Sequence, residues 1–374
     1  MLKAFVRIGT ALLYALYSIA RVLPGKREQF VCISRQSNTA PTDFRLISEF
    51  MSSHHPEYRV VILAKELHNP VPYAFHMLRQ VCTIARSQAA ILDSYCIAVS
   101  LLNKRIKAPV IQMWHAMGNM KKFGYTSIGG GEGRSLELAQ TMHMHEGYDS
   151  VLISSMSFID DYVAGFKITP EIVYEAPLPR TDLLIDPANR AAQRGRILER
   201  FPELAERRNI VYCPTFRRTP APNEKEAMRA LVDAVDFDRY NLIYKPHPVS
   251  TQRIEDERVL QDYPKDLDML YVADYVISDY STVIYEAGLL DVPVYLYAYD
   301  WDTYSGRRGL NIDIEHDVPT LFTASAEEIL QAIEHDEFDH EVYQAFTRDN
   351  IAIHPSTTCT ERIINHVLEM IGER

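Results

Sequence analysis

Short hydrophobic runs alternate along most of the chain with longer stretches in which apolar residues recur every three or four positions. The short runs are typical of strands buried on both faces, and the periodic stretches are typical of amphipathic helices. Strands that alternate with helices predict a parallel α/β architecture. The predicted strands are 30–34, 60–64, 90–92, 110–114, 151–153, 172–175, 209–213, 241–244, 275–277 and 294–297.

The middle of the chain carries the signs of a domain junction. Pro177, Pro179 and Pro187 follow one another within a few residues, and proline interrupts regular structure. At 374 residues, the chain is long enough for about two domains. We therefore predict an N-terminal domain at 28–180 and a C-terminal domain at 181–374, whose last helix is free to cross back.

The first 27 residues are treated separately because they are rich in leucine, alanine and tyrosine. We predict an amphipathic helix that lies in the membrane interface, where Arg21, Lys26 and Arg27 contact anionic head groups. The alternatives are a membrane span, a signal peptide, and a helix packed on its own domain or on a second copy. The polar and aromatic stripe of this helix consists of Lys3, Arg7, Thr10, Tyr14, Tyr17 and Arg21.

Composition narrows the class of protein. With 47% hydrophobic and 24% charged residues, the chain has the balance of a globular protein rather than a disordered one. The net charge of −11 argues against a large nucleic-acid footprint but leaves room for a local basic site. Five scattered cysteines without a CxxC pair indicate a reducing compartment and offer no zinc site.

The first candidate segment for chemistry is 111–125, in the N-terminal half. Ligands of open parallel sheets bind beyond the carboxyl ends of the strands. A predicted strand delivers Trp114 and His115 to such an end, and a histidine there can take a proton from a hydroxyl. Lys121 and Lys122 follow and suit phosphate oxygens. The alternative for His115 is a structural, hydrogen-bonded histidine.

Two further segments follow strands in the C-terminal half. Residues 211–218 place Thr215 and Arg217 after a strand, and the planar fork of arginine suits phosphate. Residues 242–248 place Lys245 and His247 in a turn that flanking prolines hold away from helix. A solvated loop and a rigid structural turn are the respective alternatives.

The fourth segment is 276–297, where a strand leads into a helix. Hydroxyl side chains at the helix start cap it, and the free N–H groups there favour a phosphate. A carboxylate one turn further on can accept hydrogen bonds from sugar hydroxyls. Ordinary capping without a ligand is the alternative. The polar residues of this segment are Ser278, Asp279, Ser281, Thr282 and Glu286.

Together these segments resemble the CDP-glycerol:poly(glycerophosphate) glycerophosphotransferase family of teichoic acid and capsule synthesis. The length is similar to that of the short, primase-like members. The resemblance implies a GT-B fold, in which two Rossmann-like domains face a cleft, and peripheral attachment to the cytoplasmic face of the membrane. The matching stretches are WHAMGNMKKFG (114–124), PRTD (179–182), CPTFR (213–217), KPHP (245–248) and SDYSTVIYE (278–286).

The family resemblance also implies a reaction. Glycerol phosphate would pass from CDP-glycerol to a hydroxyl of a polyprenyl-diphosphate-linked saccharide or of a growing polyol-phosphate chain, with release of CMP. It implies no metal and no cofactor. The alternatives are the same transfer from CDP-ribitol, a GT-B glycosyltransferase that uses a UDP-sugar, and a non-catalytic nucleotide-binding protein of the membrane surface. A homo-oligomer is compatible with all of these.

The candidate site residues fall into three groups. His115 and His247 are the predicted catalytic pair, and either can be the base. The predicted donor-binding residues are Thr215, Arg217, Lys245, Ser278, Asp279, Ser281, Thr282 and Glu286. The predicted acceptor-binding residues are Lys121, Lys122, Asp93, Arg180 and Asp182.

Overall fold

Two parallel sheets of six strands organise the part of the chain that the structure describes. The structure is a computed structural model, and it describes residues 2–24, 28–129, 135–217, 219–247, 250–306 and 309–372. Lys26, Arg27 and Pro248 of the sequence analysis lie outside the described residues. The chain divides into a first compact unit of residues 1–116, 122–182 and 352–374 and a second of residues 117–121 and 183–351. The domain limits given above stay predictions.

The first unit contains a sheet with the strand order β2-β1-β3-β4-β5-β6, in which every neighbouring pair is parallel. Its strands are β1 (Gln29–Ser34), β2 (Arg59–Ala64), β3 (Ala89–Leu92), β4 (Val110–Gln112), β5 (Ser150–Ile153) and β6 (Val173–Glu175). Its helices are α1 (Leu2–Val22), α2 (Thr42–His54), α3 (Pro70–Ile84), α4 (Ile97–Leu102), α5 (Leu136–Thr141), α6 (Ile159–Phe166), α7 (Arg180–Ile185, which continues into the second unit) and α15 (Cys359–Gly372).

Helices α2 and α15 cover one face of this sheet. Phe44, Ile47 and Met51 recur at the spacing of one helical face and are fully buried against the strands. From α15, Ile363 and Val367 join the same core. The chain's last helix therefore completes the core of the first unit, although it follows the second unit in sequence.

Helix α1 packs on the first unit through one of its faces. Leu13, Tyr17 and Ala20 are buried at helical spacing, and α1 contacts α3 and α4. The Tyr17 hydroxyl accepts a hydrogen bond from the Lys107 N–H at 3.0 Å, so this residue of the predicted polar stripe faces the protein. Among the described helices, α1 is the one that is long and apolar enough to cross a membrane, by length and composition alone.

The second unit contains a sheet with the order β12-β11-β10-β7-β8-β9, again parallel throughout. Its strands are β7 (Arg208–Cys213), β8 (Tyr240–Tyr244), β9 (Val259–Leu260), β10 (Tyr275–Ser278), β11 (Val294–Tyr297) and β12 (Phe322–Thr323). Its helices are α8 (Pro187–Arg200), α9 (Glu224–Ala234), α10 (Val283–Leu289), α11 (Trp301–Ser305), α12 (Ile314–Asp317), α13 (Ala326–Glu334) and α14 (His340–Asn350).

The predicted strand at 110–114 is wrong at its end. Strand β4 stops at Gln112, and Trp114 adopts a positive φ of 62° that no strand residue has. The apolar run continues past the strand because Met113 is buried. Strands β9 and β12 were not predicted, because two residues are too few to form an alternating pattern.

We expect the Asp182→Ala substitution to destabilise the first unit. The Asp182 carboxylate accepts hydrogen bonds from the Cys359 N–H at 2.7 Å and from the Thr360 N–H at 2.9 Å, and these groups begin α15. The Thr360 hydroxyl donates a third bond at 2.7 Å. Loss of such a cap costs about 1–3 kcal/mol, which urea denaturation measures.

Asp186→Ala is the matched control for this cap. Asp186 caps α8 through bonds of 3.0 and 3.3 Å at an exposed position, so its loss is expected to cost less, about 1 kcal/mol. A urea midpoint of D182A equal to that of the unmodified chain contradicts the proposed anchoring of α15.

Candidate active site

The His115 ring lies beside the carboxyl end of β3 in the first unit. Its Nδ1 is 2.8 Å from the main-chain oxygen of Asp93. The side-chain nitrogen of Gln36 also lies 3.3 Å from Nδ1, but the Asp93 contact is shorter and a carbonyl oxygen accepts only. We therefore assign the proton to Nδ1 and the lone pair to Nε2, with the Gln36 amide turned so that its oxygen faces the ring. Burial, with a smaller contribution from the Arg180 guanidinium, lowers the pKa of His115 to about 4. The imidazole is therefore neutral near pH 7 and ready to accept a proton at Nε2.

An ion pair holds the main chain at His115. Arg180 donates from Nη2 to the main-chain oxygen of His115 at 2.6 Å and from Nη1 to the buried Asp43 carboxylate at 3.0 Å. Asp43 also accepts the Arg180 N–H at 2.9 Å. Arg180 was predicted to bind the acceptor, and here its guanidinium joins α2, α7 and the histidine loop.

The residue before His115 is held in an unusual conformation. Trp114 has a φ of 62°, which is costly for a bulky residue and is often found at functional sites. Its N–H donates to the side-chain oxygen of Gln112 at 3.0 Å, and its ring packs 5.1 Å from that of Phe166 and 5.9 Å from that of His145. These contacts fix the turn that delivers His115 from the end of β4.

Asp93 has a buried carboxyl group close to the same histidine. Its side chain is 3% exposed, and Oδ1 has no hydrogen-bond partner among the described residues. Burial raises the pKa of Asp93 to about 6, although hydrogen bonds from Ser34 and Ser94 act in the opposite direction. The predicted acceptor contact of this carboxylate stays a prediction, while its main-chain oxygen sets the tautomer of His115.

Arg217 is the centre of a buried ionic network in the second unit. Its Nε and Nη2 donate to the two oxygens of Asp300 at 2.6 and 2.7 Å, and Nη2 lies 2.9 Å from the Asp279 carboxylate. Nη1 donates to the Thr215 main-chain oxygen at 2.9 Å. The two carboxylates raise the pKa of Arg217 despite its burial. All three nitrogens of the guanidinium thus contact protein groups.

Asp279 ties the loop after β7 to the loop after β10. Its Oδ1 accepts the Thr215 N–H at 2.8 Å and the Tyr280 N–H at 2.7 Å. One strand position earlier, Ser278 donates to the Cys213 main-chain oxygen at 2.8 Å. The hydroxyl of Thr215 is buried and has no partner among the described residues. The structure therefore brings three predicted donor-binding residues to one edge of the second sheet.

Lys245 and His247 follow β8 at that same carboxyl edge. Lys245 Nζ lies 3.5 Å from Asp268, and although burial favours the neutral amine, the carboxylates of Asp268 and Glu286 raise the pKa of Lys245. The His247 side chain is exposed, and its ring centroid is 5.6 Å from that of Phe216. A charged amine, a carboxylate and an imidazole thus belong to neighbouring loops of the second unit.

The start of α10 is partly accessible. Ser281 Oγ accepts the Val283 N–H at 3.4 Å, and Ser281 and Thr282 are both half-buried. The segment around Gly118 lies against this helix in the same unit, and Gly118 has a φ of 63°. A Cβ atom at that position would overlap the Tyr285 ring, so glycine is required there for both reasons.

The two lysines predicted to bind the acceptor belong to different units. Lys121 Nζ lies 5.8 Å from the Tyr304 ring centroid, and Tyr304 also lies 5.6 Å from the Arg217 guanidinium. Lys122 is exposed and belongs to the first unit. Asp182, as described above, caps α15. The acceptor roles of these three residues stay predictions.

Comparison with known proteins decides the family. The family model described as CDP-glycerol:poly(glycerophosphate) glycerophosphotransferase matches residues 15–369. The chain belongs to this family. The family is named for a glycerophosphotransferase activity.

Relatives in this family include proteins of both polyol types. The teichoic acid poly(ribitol-phosphate) polymerase of Bacillus spizizenii is 25% identical over 91% of this chain and 56% of its own length. The ribitol-phosphate primase of the same organism is 25% identical over 93% of both chains. The glycerol-phosphate primase of Bacillus subtilis is 29% identical over 65% of this chain and 62% of its own. The chain thus spans little more than half the length of the poly(ribitol-phosphate) polymerase.

Solved structures confirm the predicted fold. A His-to-Asn variant of the wall teichoic acid polymerase TagF, soaked with CDPG, has a TM-score of 0.75 and 17% identity, and the match covers 99% of this chain and 97% of that one. A Staphylococcus aureus MnaA structure with UDP has a TM-score of 0.55 and 13% identity over 92% of this chain and 97% of that one. The two Rossmann-like units with parallel sheets are therefore those of a GT-B-like protein.

Sequence reasoning missed several residues that organise the site. Gln112 lies in the first candidate segment, whereas the three aspartates lie outside all four segments. Each aspartate acts through a partner distant in sequence, and local spacing carries no signal for such pairs. No group of three or more His, Cys, Asp or Glu in the described chain is placed to hold a metal ion. The missed residues are Asp43, Gln112, Asp268 and Asp300.

We expect Asp93→Asn to stabilise the protein at pH 8. Because the folded-state pKa of Asp93 is about 6 and its ordinary value is 3.8, stability falls as the pH rises from about 4, and the full penalty of the ionised carboxylate applies above about pH 6. The gain is at most about 3 kcal/mol and disappears as the pH falls towards 4, where the unfolded chain is protonated too. Thermal unfolding from pH 4 to pH 8 measures it.

The half-buried Asp149 of the same unit provides the control. Its carboxylate accepts the Val110 N–H at 2.9 Å, so Asp149→Asn is expected to give no gain at pH 8. A D93N variant that is less stable than the unmodified chain at pH 8 contradicts the assignment of a raised pKa to Asp93.

Proposed function

We propose that the chain transfers glycerol phosphate from CDP-glycerol to a hydroxyl of a polyprenyl-diphosphate-linked saccharide or of a growing polyol-phosphate chain, releasing CMP. The observation that carries this proposal is the family match over residues 15–369. The chemistry of the two units supports it, because one presents a neutral imidazole and the other a set of cationic and hydrogen-bonding groups.

In the proposed reaction, His115 is the general base. The acceptor hydroxyl attacks the phosphorus that bears glycerol, and Nε2 of His115 takes the hydroxyl proton. A new P–O bond forms, the bond to the CMP phosphate breaks, and the electron pair leaves with CMP. General-base catalysis of this kind typically contributes 10²–10⁴-fold. The Nδ1 bond to Asp93 supports this role because it presents Nε2 as the proton acceptor.

The second unit holds the donor in this proposal. His247 and the start of α10 at Ser281 and Thr282 stabilise charge on the phosphoryl oxygens, and each preorganised donor is worth roughly 3 kcal/mol. Lys245 contacts the diphosphate and Glu286 the ribose. The proposed role of Arg217 is positioning, because its hydrogen-bonding groups already bind Asp279, Asp300 and the Thr215 main chain.

We also propose peripheral attachment to the cytoplasmic face of the membrane through α1. Phe5, Ile8 and Leu12 are each more than 60% exposed, and exposed apolar residues of this size on one helical stripe are typical of interfacial helices. A lipid-linked acceptor is consistent with an enzyme that works at this surface.

CDP-ribitol is the second candidate donor. The two ribitol-phosphate relatives reported above each span more than 90% of this chain, whereas the glycerol-phosphate primase of Bacillus subtilis matches 65% of it. The described fold is compatible with either polyol, because both donors share the cytidine diphosphate group.

Substitution of the two histidines tests the mechanism. His115→Asn and His247→Asn are expected to lower kcat by at least about a hundredfold, because each removes a group that acts on the reacting atoms. Turnover of CDP-glycerol on a lipid-linked disaccharide is the measurement. His335→Asn at an exposed position after α13 is the control and is expected to leave the rate unchanged.

Mass analysis of the products with CDP-glycerol, CDP-ribitol and UDP-sugars tests the substrate class. An added glycerol phosphate supports the proposal, and an added ribitol phosphate replaces it by the second candidate. Turnover of UDP-sugars without any from the CDP-polyols contradicts both, and histidine variants with full activity contradict the catalytic roles.

A further inference from the structure

A groove of about 750 Å³ lies beside α1 in the first unit, away from the groups assigned to the reaction. It is bounded by the first turns of α1, the end of α4 with the residues that follow it, and the end of α5. We call it the α1 groove. The residues used below are Lys3, Arg7, Ser100, Lys104, Arg105 and Thr141.

The α1 groove is basic. Lys3 and Arg7 are one helical turn apart on α1, and Lys104 and Arg105 approach from the segment after α4. None of the described residues that line the groove is acidic. The carboxylate nearest in the contact network is Glu146, which bonds to two lining side chains, His143 and Asn103, at 3.1 and 2.7 Å. Because four cations line the groove and one carboxylate lies at its edge, the groove favours the binding of an anion.

Two buried hydroxyl groups in the α1 groove lack partners. Ser100 is fully buried and Thr141 is 9% exposed, and neither hydroxyl has a hydrogen-bond partner among the described residues. Buried polar groups in proteins are almost always satisfied, so such groups in the wall of a groove indicate a missing ligand. Hydroxyl donors beside lysine and arginine suit the oxygens of a phosphate.

The same helix that supplies Lys3 and Arg7 carries the exposed apolar stripe. Phe5 is 78% exposed and Leu12 67% exposed, and with Ile8 they recur every three or four residues on a face different from that of the two cations. A basic groove and an exposed apolar face on one helix together match a molecule that has both a phosphate and acyl chains.

We propose that the α1 groove binds the phosphate head group of an anionic membrane lipid while the apolar stripe of α1 enters the hydrocarbon. The cations of the groove bind the charged oxygens, and Ser100 and Thr141 donate to them. The inference rests on the membrane attachment of the proposed function and adds a defined lipid site to it.

Vesicle binding by the full chain tests this site. We compare vesicles of phosphatidylcholine with vesicles that also contain phosphatidylglycerol, using the double variant Lys104→Glu and Arg105→Glu. The variant is expected to lose at least about tenfold in affinity for the phosphatidylglycerol vesicles, because each cation near an anionic surface contributes to binding. Its affinity for phosphatidylcholine alone is expected to stay unchanged, since the apolar stripe is intact.

The matched control reverses two charges elsewhere. Arg194→Glu with Arg200→Glu, at exposed positions of α8, changes the net charge by a similar amount and is expected to keep the affinity for both vesicles. If this control loses affinity as strongly as the groove variant, general charge explains the binding and the site is contradicted. Circular dichroism and thermal unfolding check that both variants are folded.

Thr141→Val gives a second, sharper test. It replaces an unpartnered buried hydroxyl with an isosteric methyl group, so a purely structural role predicts unchanged or increased stability and unchanged binding. We expect a several-fold loss of affinity for phosphatidylglycerol vesicles without a loss of thermal stability. Full affinity of this variant and of the groove variant overturns the site.

Two further outcomes distinguish a lipid head group from free phosphate as the ligand, and the lipid site from membrane attachment in general. If the chain binds inorganic phosphate without vesicles, and the groove variant loses that phosphate binding while it keeps its affinity for phosphatidylglycerol vesicles, the groove binds free phosphate, which contradicts the lipid assignment. If the chain binds both kinds of vesicle equally, membrane attachment is supported and the lipid site is contradicted. Turnover of a soluble acceptor analogue with CDP-glycerol is measured separately and tests the proposed reaction independently of vesicle binding.

Discussion

The hydrogen bond from His115 Nδ1 to the main-chain oxygen of Asp93 is the interaction on which the account of the reaction depends. It joins the loop after β4 to the end of β3 and fixes which ring nitrogen carries the proton. Burial keeps the ring neutral, so Nε2 is a proton acceptor over the physiological pH range. Without this bond, the ring could rotate or exchange tautomers, and the proposed base would have no defined direction.

The polar groups of both units divide into those that hold loops and those that remain for ligands. Asp43, Asp279 and Asp300 use their carboxylates to bind arginines and main-chain N–H groups, so they position the loops at the carboxyl ends of the strands. Such buried ion pairs add little net stability, but removal of one partner strongly destabilises the fold because it leaves an unpaired buried charge. His247 and Lys245 lie on loops of the second unit whose neighbours are fixed in this way.

The alternation of strands and helices was predictable because each buried strand carries its own apolar run, and Phe44, Ile47 and Met51 show their helical face in sequence. The position of His115 shortly after a strand was also predictable, because the apolar run of β4 is a local feature, while its catalytic role stays a prediction. The left-handed Trp114, the cap of α15 by Asp182 and the ion pair of Arg217 with Asp300 were not. Each of these depends on a partner or a backbone angle that only the folded chain supplies.

The most direct test of the central claim is nitrogen-15 NMR of the histidine rings, with His115 assigned by comparison with His115→Gln. We predict a neutral ring that is protonated at Nδ1 and bare at Nε2 from about pH 5 to about pH 8, with a pKa of about 4. Protonation at Nε2, or a titration near the ordinary histidine value of about 6.5, contradicts the assignment of His115 as the base.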